Sequence, residues 1–192
     1  MNLCKKKIIL DLFSLYIHCS KESTSIKMKL HGNIFTTQNL SETRKILKIY
    51  LPSIFYSKCF NYKNLSFFQE VKNTEIGHLF EHIMLEYLCR IKMSYSCDFV
   101  EFEGMTKWDW NKEQRGIFNV FINIGSDEKD LFFNALNMSV ALTHIILNNN
   151  NTKRRNSELF SNNPFSQLYL NNNLDLKNYL LGFFQPSFEE LQ

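Results

Sequence analysis

Two histidines and a glutamate, arranged as His78-x-x-Glu81-His82, are the residues of this chain best suited to chemistry. Four residues apart on a helix, the two imidazoles differ by about 40° in azimuth and about 6 Å in rise. So placed, they can share one metal ion at roughly 2.0–2.1 Å each. Glu81 lies about 60° to the other side of His78, where a carboxylate can hold and deprotonate an activated water without being a ligand. The order is the inverted form of the zinc-protease helix motif, so zinc is the expected ion. A catalytic zinc usually takes three protein ligands and leaves one position open. Glu86 is the first candidate for the third. It sits about 12 Å from His78 along the axis, so it reaches the ion only if the helix bends or the ion lies near His82. Otherwise it orients a histidine. Glu101, Glu103, Asp109 and Cys59 are more remote candidates.

The element that must position these groups runs from Asn73 to Met93. Ile76, Leu79, Phe80, Ile83, Met84, Tyr87, Leu88 and Ile91 fall at helical spacing and predict one buried stripe. Asn73 or Thr74 can cap its start, and Glu75 suits the positive end of the dipole. The bland alternative is a solvated polar face with Glu81 and Glu86 as ordinary surface charges. Against it, this is the most apolar helix of the chain, and two histidines with two glutamates there need a reason. His18, His31 and His144 are isolated and read as structural or surface residues.

At 192 residues the chain can form one domain with a substantial core. The net charge of +3, from 22 basic and 19 acidic residues, is too mild to argue for nucleic acid. Five cysteines without a Cys-x-x-Cys pair are expected to be buried thiols of a reduced, cytoplasmic protein. Lys5-Lys6-Lys7 before an apolar run faintly resembles a secretory signal, but Asp11 interrupts the run and no small-residue cleavage site follows. No stretch reads as long and apolar enough to span a membrane.

In order, residues 7–19 read as a strand or a strand and turn, and Ser25 to Leu30 as a half-buried strand. Ser41 to Tyr50 reads as a helix capped by Ser41, with Ile46, Leu47 and Tyr50 inward. Asn64 to Lys72 reads as a short helix with Leu65, Phe68 and Val71 inward. Phe99 to Glu103 is expected as a short strand, Gly104 to Arg115 as a tryptophan-bearing loop, and Gly116 to Ile124 as a strand. Ser126 is expected to cap a helix reaching Leu147. The fold class is therefore α+β, a small mixed or antiparallel sheet against three or four helices, in a domain over residues 1–147. Residues 148–156 read as an Asn-rich linker. Residues 157–192 form a tail that can dock as a helix or offer a contact surface over 160–192 for a partner or a second copy.

With Gly77-His78-x-x-Glu81-His82-x-x-x-Glu86 in place, the chain resembles the N-terminal domain of cyanophycin synthetases. Leu85-Glu86-Tyr87 is similar to the Leu-Glu-Leu-like step that ends the family's helix. Leu51-Pro52 with Cys59 after it resembles the family's Leu-Pro-Gly-Leu and His-Arg-Cys segment. Gly116-Ile117-Phe118-Asn119-Val120 resembles its Gly-Val-Tyr-Asn-Val strand, and the resemblance runs from Glu42 to Leu147. The ATP-grasp and ligase domains of the synthetases have no counterpart here, and no glycine-rich phosphate loop occurs, so synthetase activity is not expected. In the family this domain binds the polymer, and in some members it carries a zinc-peptidase-like site. The resemblance thus implies His78 and His82 as ligands and Glu81 as base of a zinc-dependent peptide or amide hydrolase acting on cyanophycin-like or other peptide polymer. The alternative is a non-catalytic module that binds polymer or protein. An arginine-bearing polymer would need carboxylates and aromatic faces, which Glu101, Glu103, Asp109 and Trp108 can supply. Otherwise the tryptophans pack and the acids are solvated. Met105-Thr106-Lys107-Trp108-Asp109-Trp110 stands where the family has a basic, Arg-Thr-Arg-like segment.

Overall fold

The computed structural model describes residues 4–60, 65–95 and 100–155, with side chains as far as residue 149. Strands β1 (Cys4–Ile9) and β2 (Phe13–Cys19) form a hairpin, closed by the Leu10 N–H donating to the Phe13 carbonyl at 2.9 Å. Strand β3 (Thr24–Leu30) follows, with Ile26, Met28 and Leu30 turned inward and Lys27 outward, as its alternation predicts. Strand β4 (Gly104–Lys107) and strand β5 (Ile117–Ile122) complete a five-stranded sheet of order β1-β2-β3-β5-β4. Every neighbouring pair is antiparallel. Gly116, at φ 88°, makes the left-handed turn into β5 that a side chain would resist.

Helices α1 (Thr43–Tyr50), α2 (Phe67–Glu70), α3 (Ile76–Tyr95) and α4 (Lys129–Arg155) lie against one face of the sheet around a single core. The architecture is α+β, as expected. Helix α3 packs on β4, β5 and α4. Of its predicted stripe, Ile76, Leu79, Phe80, Ile83, Met84, Tyr87 and Leu88 are buried, and Ile91 is half-buried. Its first turn is fixed from outside. The Ile76 N–H donates to the Phe35 carbonyl at 2.9 Å, and the Thr37 N–H donates to the Thr74 carbonyl at 2.8 Å.

Several boundaries differ from the sequence reading. No strand covers 100–103; the edge strand is Gly104–Lys107, inside the segment expected as loop, and Phe99 lies outside the described residues. Helix α1 starts at Thr43 behind Glu42, without the Ser41 cap. In α2 the inward residue is Phe67, while Phe68 is 42% exposed. Ser126–Glu128 form a 3-10 turn rather than a cap, and α4 begins at Lys129. It then runs through 148–155, the stretch that reads as linker, because no glycine or proline interrupts it. The expected tail over 157–192 lies outside the described residues. Ser126–Asn149 holds an 18-residue window of mean hydropathy 1.3 and so is long and apolar enough to cross a membrane by length and composition, contrary to the sequence reading. That window is 56% buried in the fold, and packing against α3 accounts for that apolarity.

Candidate metal centre

The polar face of α3 is not solvated. Glu81 and His82 are 6% and 4% exposed, and His78 is half-buried. Helical spacing alone brings the histidines together, with His82 Nε2 3.2 Å from His78 Nε2. Pro52 starts a 3-10 turn over Pro52–Tyr56, and the chain leaving it carries Cys59 to the same point. Cys59 Sγ lies 3.5 Å from His78 Nε2. One donor atom from each of Cys59, His78 and His82 falls within 4.8 Å of the others, the one such group among the described residues.

The opposite ring nitrogens are held by hydroxyls. Ser57 Oγ donates to the Ile54 carbonyl at 2.7 Å, so its oxygen accepts from His82 Nδ1 at 3.2 Å. That leaves His82 Nε2 as a lone pair facing the cluster. Thr74 Oγ1 is 2.8 Å from His78 Nδ1 and can accept from it in the same way. Phe67 stacks on the His82 ring, centroids 3.9 Å apart and planes 23° apart, and meets His78 edge-on. Burial lowers the His78 pKa. Burial first, then neighbouring His78, pushes His82 down to about 3. Both rings are therefore neutral, the form that ligates a metal.

Glu81 is placed by the edge strand. Thr106 Oγ1 donates to Glu81 Oε2 from β4. Gly104 leaves room beside the same carboxylate, since a Cβ there would stand 3.0 Å from Glu81 Oε1. Burial raises the Glu81 pKa to about 7, against the Thr106 hydrogen bond that lowers it. The site therefore holds three donors of zinc-ligand type and, one residue before His82, a carboxyl group that titrates near neutrality.

The structure gathers Cys59, not Glu86, with the two histidines; Glu86 is half-buried one turn further along α3. The other candidates are not gathered with them. Glu101 is exposed and pairs with Lys58 at 3.7 Å. Glu103 is exposed just before β4, opposite Asn123, on the sheet face turned away from Glu81. Asp109 accepts from the Asn111 N–H at 3.1 Å and pairs with Lys112 at 3.1 Å, which closes its own turn. Trp108 is 37% exposed and meets Phe118 edge-on at 5.9 Å. Sequence spacing does not point to Ser57, Phe67 and Thr106, because each comes from a different segment; Thr74, four residues before His78, reads from the sequence only as a helix cap. His31 and His144 both bind Asp11 of the first hairpin, away from the centre.

A family model described as the cyanophycin synthase-like N-terminal domain matches residues 25–148, well over half of the chain. No curated protein and no solved structure matches it significantly.

Proposed function

Because this chain belongs to the cyanophycin synthase-like N-terminal domain family, we propose that it is a zinc-dependent peptide or amide hydrolase of the inverted His-x-x-Glu-His type. The observation that carries this reading is the convergence of Cys59, His78 and His82 on one point beside a buried Glu81. Thiolate and imidazole are usual zinc ligands, and three protein donors leave a fourth position open. Cys59, His78 and His82 would hold the ion. When bound, zinc supplies Lewis acidity toward a carbonyl oxygen and makes water a stronger acid. Glu81 accepts the proton that water gives up and passes it to the leaving amine. A carboxyl brought to about 7 by burial is suited to both transfers near neutral pH. Thr106 fixes its Oε2, while Ser57 and Thr74 fix the ring tautomers. The substrate proposed is a peptide polymer, an Asp/Arg-type chain first, with Trp108, Asp109 and Glu101 available to it; Glu103 lies on the other face of the sheet.

The test is hydrolysis of an Asp–Arg polymer and of unrelated peptides by wild type and Glu81→Gln, with zinc content measured on both. The variant is expected to keep zinc and lose about 10²–10⁴-fold in rate. A wild type that holds zinc yet cuts nothing would leave a metal-containing binding module. A Glu81→Gln protein as active as wild type would remove Glu81 from the chemistry.

A further inference from the structure

Among the described residues no helix covers the second face of the sheet, and five lysines gather there. The antiparallel registers set its side chains in rows across the strands. One row reads Lys7, Tyr16, Lys27, Asn119 and Lys107 over all five strands. At about 4.8 Å between strands this row is about 19 Å long. The next reads Lys5, His18, Ser25, Phe121 and Met105. Lys29 stands two residues along β3 from Lys27 on the same face. Five lysines thus share this face with two carboxylates, Glu113, which is bound to Lys27, and Glu103, which lies two residues before Met105 opposite Asn123, so this one face carries as much net positive charge as the +3 of the whole chain. The net charge averages this segregation away.

We propose that this open sheet face binds single-stranded nucleic acid. Tyr16 and Phe121 are 41% and 40% exposed, so each offers a ring on which a base can stack. Lys7 Nζ lies 5.4 Å from the Tyr16 ring centre, and Lys107 Nζ lies 6.0 Å from that of Phe121. Ring and cation therefore recur as a pair at both ends of the platform, which suits successive bases and phosphates. An acidic polypeptide fits less well. It gains nothing from the rings, and the rows hold no arginine fork to match a carboxylate. A duplex buries its base faces and cannot stack on a flat sheet. Glu113 accepts from Lys27 Nζ at 2.6 Å and from Asn119 Nδ2 at 2.9 Å. The centre of the row thus already holds an anionic oxygen, which a phosphate would have to displace.

The test is fluorescence anisotropy of the full chain with labelled oligouridylate of about 20 nucleotides, between about 50 and 200 mM salt. Three or four phosphate contacts predict a log–log salt slope of about −2 to −3. Lys7→Glu/Lys107→Glu is expected to weaken binding at least ~10-fold, and Tyr16→Ala/Phe121→Ala by about tenfold. Glu113→Gln is expected to tighten it, an outcome that misfolding does not produce. No binding at about 100 μM protein in about 50 mM salt would overturn the proposal. So would polyglutamate or duplex competing as well as the single strand while the ring variants bind normally, since the face would then attract any polyanion. The metal centre lies across the sheet, so neither result depends on the hydrolase reading.

Discussion

Gly77→Ala sets two known effects against each other. Helix propensity alone favours alanine by about 0.8–1.0 kcal/mol. Packing opposes it. A Cβ at Gly77 would lie 2.5 Å from Phe118 Cβ and 2.7 Å from Phe118 Cδ1, and nearer still to Cγ. Carbon atoms in contact settle at about 3.5–4.0 Å, so α3 and β5 must part by about 1 Å. Phe118 cannot swing aside, because it is fully buried with Trp108 and Trp110 edge-on at 5.9 and 5.6 Å. Overpacking of this kind costs about 1–3 kcal/mol and occasionally more. With the contact this deep we take the upper end, so the net loss is about 2 kcal/mol. For a chain of this length that lowers Tm by about 4–8 °C. Urea unfolding followed by tryptophan fluorescence reads it as a lower midpoint at unchanged m. Phe118→Leu makes room, so the double mutant should be more stable than the two single effects predict by at least ~1 kcal/mol. A Gly77→Ala protein more stable than wild type would show that α3 does not sit this close to β5, and the placement of His78 would fall with it.

Ser57→Ala and Thr74→Val each remove a hydroxyl that holds a histidine ring. Zinc affinity, measured against a chromophoric chelator, should fall about 10–100-fold while the fold is kept. Glu86→Gln should leave zinc affinity unchanged in the same titration, because Glu86 is outside the donor cluster. Burial raises the Cys19 thiol from 9.0 to about 11. The folded chain therefore holds a proton that the unfolded chain loses above pH 9, and stability should fall as pH rises from about 9 to 11. Cys19→Ala should flatten that part of the urea-midpoint profile, and an unchanged slope would assign the loss to other groups.

The central helix was legible because its 3.6-residue period is long and unbroken, and the residues of its apolar stripe are those that pack. The burial of its polar face was not legible, because it depends on β4. That strand carries Gly104 and Thr106 inward, where a core strand would carry valine or isoleucine, since what it faces is the Glu81 carboxylate. Without apolar alternation it reads as loop, and Phe99 and Phe102, with Glu101 and Glu103 beside them, draw the expected strand a few residues upstream. Cys59 lies 19 residues before His78 in irregular chain, where no spacing rule ties it to the helix. Phe67 and Phe68 are adjacent, and a four-residue helix is too short for periodicity to choose between them. The one that turns inward stacks on His82, a tertiary contact with no local signature.

Metal content tests the central claim most directly. Wild type, Cys59→Ala and His78→Ala/His82→Ala would be purified without added zinc, analysed for metal and then titrated with it. About one equivalent in wild type, none in the double mutant and at least ~10-fold weaker uptake by Cys59→Ala are expected. A wild type that contains no metal and takes up none on titration would contradict the metal centre. A Cys59→Ala protein that binds zinc as tightly as wild type would place the third ligand elsewhere, with Glu86 the next to test.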